Sequence, residues 1–276
     1  MIISPKDHRL AIAAILLLSI ATASAQAPAG AGGKPGVAYG QYPAVFTQPA
    51  PMDFDDHEGY VSLFDGTSLK DWDGNPRMWR VSDGAIVGQS AMTNRSANTC
   101  LVYRGLQARD FTLKFEIKTE GSGGSGMQYR SKATPGDTNN IGPANPGWKM
   151  TGPQADFRAS PVYAGAIYSE NTSLWMLAWQ GQAVESSGGP GKKLIGTIGD
   201  PITLARASVK ISDWNKYTII ARGGTLIHIV NGQVMAIMVD DDPKSSNNQS
   251  GFIGIQLEPP FPNKIQVRNI WLKKLD

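Results

Sequence analysis

Two-residue turn signals set between short runs of alternating apolar and polar residues are the strongest constraint on this chain. Asp83-Gly84 separates Trp79 to Val81 from Ala85 to Val87, and Gly223-Gly224 and Asn231-Gly232 separate Trp214 to Arg222, Leu226 to Val230 and Val234 to Val239. Gly and Asn accept the positive φ that a tight hairpin needs, so these runs read as hairpins and a β-meander. Asp65-Gly66 closes an earlier strand, Val61 to Phe64. Phe111 to Lys118 alternates in the period of a strand with one buried face, and Gly251 to Leu257 and Ile265 to Leu272 supply two more strands. No long helical stripe interrupts them, which predicts an all-β sandwich or jelly roll in one domain.

The N-terminus reads differently. Lys6 and Arg9 precede an apolar run from Leu10 to Ala21 and the small residues Ala23-Ser24-Ala25, the pattern of a signal peptide over 1–25 cleaved before Gln26. The apolar run is too short for a stable membrane span, so a periplasmic or secreted location is expected. Residues 26–55, rich in Ala, Gly, Pro and Gln, read as an extended leader, and residues 56–276 as the folded domain. Loss of Lys6, Asp7 and Arg9 lowers the formal charge from +3 to +2, and without a basic block nucleic acid is an unfavourable partner. Cys100, the sole cysteine, lies in an apolar stretch and reads as buried packing. Gly, Pro, Asn and Ser dominate Lys132 to Pro153 and Ser186 to Pro201, which are expected to be loops rimming a binding face.

Several motifs recur in one order: Gly59 to Trp72, Ser125-Gly-Met-Gln-Tyr-Arg-Ser131, Gly152-Pro-Gln-Ala-Asp156, Tyr163 to Glu170, Ile227-His-Ile-Val-Asn-Gly232 and Gly254-Ile-Gln-Leu257. Together they resemble the 3-keto-disaccharide hydrolase family over about His57 to Leu275. The resemblance implies a concanavalin A-like jelly roll acting on an oligosaccharide or glycoside already oxidised at C3. The ketone acidifies the C2 proton, so the implied route is base-driven elimination followed by hydration, with net glycoside hydrolysis. Three positions depart from the family's pattern: Gly124 stands for an Asn, Asn171-Thr172-Ser173 for an Arg-Gly pair, and Glu258 for a His.

Such chemistry needs a base, an acid and a group to hold enolate charge. Strand alternation puts Gln128 with Arg130, Gln154 with Asp156, and Tyr168 with Glu170 on common faces. Glu170 is the first candidate for general base, with Asp156 as the second carboxylate. Tyr168 is a donor to the leaving oxygen and His228 a strand histidine in the titration range for proton transfer. Arg130 is a candidate for the ketone or enolate, and Gln128, Gln154, Gln256, Lys149 and Trp148 for sugar contacts. Trp148, Trp175 and Trp179 could form a stacking platform. Each also has an ordinary reading: a solvated strand face, an Arg130 to Asp156 ion pair, a satisfied structural histidine, buried tryptophans. No cofactor has a clear signature. A divalent ion such as Ca, Mn or Mg on Asp156, Glu170 and Glu258 is conceivable, whereas zinc, a phosphate loop and a nucleophile elbow lack their signatures. A non-catalytic carbohydrate-binding module on the same sandwich is the alternative, and an envelope protein with no sugar site is the third reading.

Overall fold

In the computed structural model, both central residues of two predicted hairpins take positive φ: Asp83 and Gly84 at 52° and 71°, Asn231 and Gly232 at 49° and 84°. That backbone matches the right-handed twist of the flanking strands, which explains why these dipeptides fix the hairpins. The structure describes residues 52–93, 98–136, 147–158, 160–187, 191–259 and 262–275. The expected signal peptide, and the leader up to residue 51, lie outside the described residues. Residues 52–55 belong to the same unit as the domain.

The chain forms β1 (Val61–Ser62), β2 (Trp72–Asp73), β3 (Trp79–Ser82), β4 (Ala85–Ser90), β5 (Thr99–Ala108), β6 (Phe111–Gly121) and β7 (Gly124–Ala133). After these come β8 (Met150–Arg158), β9 (Ile167–Glu170), β10 (Trp175–Ala178), β11 (Gln182–Ser186) and β12 (Lys192–Thr197). A short helix α1 (Pro201–Ser208) precedes β13 (Asn215–Arg222), β14 (Thr225–Val230), β15 (Gln233–Asp240), β16 (Gly251–Leu257) and β17 (Asn263–Lys274). The Gly- and Pro-rich segments are less loop-like than expected. β7 runs on to Ala133, β8 starts at Met150, and β12 lies inside the second segment.

Two sheets pack face to face as a jelly-roll sandwich. One has the order β12-β11-β15-β14-β13-β6-β17-β4-β3, with β1 on β17, and the other β10-β9-β8-β7-β16-β5-β2. Between them lie Leu113, Phe115 and Ile117 of β6, Tyr217 and Ile219 of β13, Met127 and Tyr129 of β7, Ala155 and Phe157 of β8, and Ile253, Ile255 and Leu257 of β16. Phe115 and Tyr217 stack at 5.0 Å. Each such large side chain contributes about 1.5–3 kcal/mol by leaving water. Because successive strand residues alternate, the residues between these core positions on β7, β8, β9 and β16 lie on the opposite, outer face of the seven-stranded sheet.

No described helix is long and apolar enough to cross a membrane. The segment before β1 is fastened to the ten-stranded sheet: buried Lys114 donates to the carbonyls of Asp53 and Asp56 at 2.7 and 2.6 Å, and Lys216 pairs with Asp55 at 2.7 Å.

Candidate active site

Register brings the outer-face residues into rows. Gly254 pairs with Gln128, Gln128 with Gln154, and Gln154 with Tyr168. In the next row Cys100 pairs with Gln256, Gln256 with Gly126, and Gly126 with Asp156. A third row holds Gly124 opposite Arg158, and the Glu258 amide donates to the Gly124 carbonyl. Glu170 ends β9, two residues beyond Tyr168.

The amides form a directed chain. Gln154 Nε2 donates to Gln256 Oε1 at 2.6 Å, Gln256 Nε2 to Asn98 Oδ1 at 3.1 Å, and Asn98 Nδ2 to Glu170 Oε1 at 2.8 Å. Each amide that accepts on one side donates on the other, so the chain delivers its N–H groups to one carboxylate and favours the ionised form of Glu170. Burial opposes this and, with the nearby Glu258 charge, raises the Glu170 pKa overall.

Asp156 has no such donor chain. Burial, reinforced by the charges of Glu258 and Glu170 and only partly offset by Arg158, pushes its carboxyl up to about 8. Arg158 Nε lies 3.8 Å from Asp156 Oδ1, and Arg158 Nη2 is paired with Glu258 Oε1. Glu258 is also raised by burial. One face therefore carries a carboxyl supplied with N–H donors, Glu170, and one without them that burial holds protonated near neutral pH, Asp156: two carboxyl groups in different environments, as a division of acid and base roles requires. Tyr168 is half-buried, and burial and Glu170 raise its hydroxyl. Gln128 is fully buried; its Oε1 accepts from Ser131 at 3.0 Å, while Nε2 has no hydrogen-bond partner. Cys100 packs with Val102 and Met150 at the foot of this face, its thiol raised by burial and by Glu170.

Four expected site residues lie elsewhere or serve the fold. A bulge between Gln128 and Lys132, with φ of 48° at Arg130, breaks the alternation that would have put Arg130 beside Gln128. Its guanidinium instead donates to the carbonyls of Arg109 at 2.5 Å, Gly223 at 2.9 Å and Asn247 at 2.8 Å, and pairs with Asp110 at 3.1 Å. His228 lies in the core between the sheets, where Nε2 accepts from the Tyr129 hydroxyl at 2.9 Å and Nδ1 donates to the Ala166 carbonyl at 3.2 Å. Burial holds it neutral, with a pKa lowered to about 3. Trp148 is buried and donates to Asp73 at 2.6 Å. Lys149 is exposed just before β8, where its carbonyl accepts from Thr134 at 2.8 Å.

The three carboxylates fit a cation poorly. Among the described residues no group of three or more His, Cys, Asp or Glu side chains could hold a metal ion. Glu258 is committed to Arg158 and Glu170 to Asn98. Two residues missed in the sequence complete the face. Arg158 continues the Gln154, Asp156 alternation by one more step and could have been found that way. Asn98, just before β5, carried no signal.

The outer face of the seven-stranded sheet thus gathers three carboxyl groups, Arg158 and a chain of side-chain amides, and the family of the chain makes this a carbohydrate-related protein. The chain belongs to the family of 3-keto-alpha-glucoside-1,2-lyase-like domains, whose pattern matches residues 59–273. Among solved structures it is similar to two candidate glycosyl hydrolases of Parabacteroides distasonis. One is 19% identical over 78% of this chain and 99% of that one, with TM-score 0.49. The other is 18% identical over 79% and 95%, with TM-score 0.46. The carbohydrate binding module CBM66 of Bacillus subtilis is 12% identical over 74% and 96%, with TM-score 0.42. No curated protein matches the chain in sequence.

Proposed function

We propose that the domain is an exported enzyme that cleaves glycosides oxidised at C3, with Glu170 as base and Asp156 as acid. Glu170 takes the C2 proton, and the C2–H electron pair forms an enolate onto the C3 oxygen. The enolate then re-forms the ketone, opens a C1–C2 double bond and expels the glycosidic oxygen, which takes the Asp156 proton. Water adds across that double bond to give the free 3-keto sugar. Arg158 is the one cation among the described residues beside these carboxylates and takes the part of holding the enolate oxygen. Gln154 and Gln256, acting through Asn98, position Glu170 for this role.

The observation that carries the reading is the Asp156 carboxyl, pushed to about 8 beside a second carboxylate supplied with N–H donors. A sugar-binding face needs amides and aromatics but no such pair.

The test compares release of the aglycone from matched glucosides and 3-keto-glucosides by the wild type and Glu170→Gln. Release from the keto substrate alone, reduced at least about a hundredfold in the variant, is the expected result. Sugar binding by calorimetry with no release from either substrate would instead favour a carbohydrate-binding module.

A further inference from the structure

Among the described residues, large apolar side chains left in solvent gather at one flank of the sandwich, where β10 and β12 end the two sheets. Val162, Trp175, Trp179, Leu194, Ile195 and Ile202 are 42–66% exposed. Val162, Trp179 and Leu194, together with Pro201, line a groove of about 360 Å³, the size that seats one ring system. Ile195 and Ile202 follow Leu194 and Pro201 in the chain. At these exposures the six side chains offer on the order of 600 Å² of surface, most of the roughly 800 Å² that each partner gives to a stable interface.

Trp175 stands beside this groove. Lys192, at the head of β12, donates to the carbonyls of Leu174 and Met176, which fastens the backbone on both sides of Trp175. Leu194 lies two residues further along the same strand. Trp175 has φ of 57°, a conformation that costs a bulky residue free energy, and at 66% it is the most exposed of the six. A strained, fastened backbone that holds an indole out in water makes a knob with little freedom left to lose on contact. The charges on β12 do not oppose a second copy. Lys192 is spent on the two carbonyls, and Lys193 lies 3.9 Å from Glu185.

We infer that this flank is a self-association surface, on which two copies of the chain pair about a two-fold axis and the Trp175 indole of each fills the groove of the other. Knob and groove lie side by side on one patch, so a second copy supplies both complements at once, the contact is made twice, and the assembly closes at two. The inference does not rest on the cleavage proposed above.

Sedimentation velocity of the full chain, from low to high micromolar concentration, tests the pairing. The wild type is expected to sediment as a dimer. Trp175→Ala, which removes the knob, and Val162→Arg, which fills the groove, should each raise the dissociation constant at least about a hundredfold. Ile211→Ser, at an equally exposed position off the patch, should leave it unchanged. An equimolar mixture of Trp175→Ala and Val162→Arg restores one intact knob and one intact groove, and should associate more tightly than either variant alone. This regain also shows that both variants are folded. A wild type that stays monomeric throughout, or a dimer untouched by Trp175→Ala, overturns the surface. A mixture no tighter than its components, with both variants melting like the wild type, overturns the seating of Trp175 in the groove.

Discussion

Gly124 and Glu258 fit each other: a Cβ on Gly124 would stand 2.0 Å from Glu258 Oε1 and 2.5 Å from its Cδ. The bare backbone at 124 is what admits the Glu258 carboxylate to its pairing with Arg158. Gly124→Ala is expected to cost about 1–3 kcal/mol by displacing that carboxylate. Adding Glu258→Ala should relieve most of the clash. Denaturant unfolding of both single variants and the double variant measures the coupling, expected to exceed about 0.5 kcal/mol. Simple additivity would show that the two sites are independent.

Asp156 should make the domain less stable as pH rises. Its folded pKa of about 8 lies above the ordinary 3.8, so the native state holds the proton more tightly than the unfolded chain does. Its contribution is fully present below 3.8 and is lost as pH rises through about 8. Burial raises Glu170 and Glu258 in the same sense. Thermal melts of Asp156→Asn from pH 5 to 9 should show a flatter profile than the wild type. In turnover, loss of the acid sets an alkaline limb near 8, and the asparagine variant should lose that limb together with most of its rate.

His228 works in the opposite direction. Its pKa falls from 6.5 to about 3, so its contribution is whole above 6.5 and is lost as pH falls toward about 3. Charging the ring would place a cation between the sheets. His228→Gln is expected to lower the melting temperature at pH 7 but to flatten the decline between pH 6.5 and 4, within the window set by those two values. An unchanged acid profile would show that other groups govern acid unfolding.

Arg130 should matter to folding. Its buried guanidinium joins the β5–β6 turn, the β13–β14 turn and the short turn before β16. Arg130→Met leaves these three carbonyls without the guanidinium, while Asp110 retains the Gly223 amide at 2.7 Å, and is expected to cost about 3–5 kcal/mol. Urea unfolding measures the loss. A cost below about 1 kcal/mol would mean that water replaces the guanidinium at little expense.

The contrast between Arg130 and Arg158 shows where sequence reasoning stops. Alternation from Gln154 runs unbroken through Asp156 to Arg158, so that stretch of the face was readable in full. The same arithmetic from Gln128 to Arg130 fails because one residue with φ of 48° in a bulge reverses the side chain, and a bulge leaves no signature in a Gln-Tyr-Arg triplet. For His228 the strand was legible, but its neighbours were not. The partners Tyr129 and Ala166 lie 99 and 62 residues away in sequence. Hairpins and strand order follow local turn chemistry, whereas the composition of a site depends on which face each strand turns to its neighbours.

The placement of Cys100 has a practical consequence. The only thiol of the chain sits on β5 beside β16, packed with Val102 and Met150 at 2% exposure, and the Glu170 carboxylate helps to keep it protonated. A maleimide added to the folded protein therefore finds no native target, and a cysteine engineered at Trp179 would carry a fluorophore alone. Slow labelling of Cys100 would in turn time the opening of the β5–β16 pair, a clock built into the floor of the site.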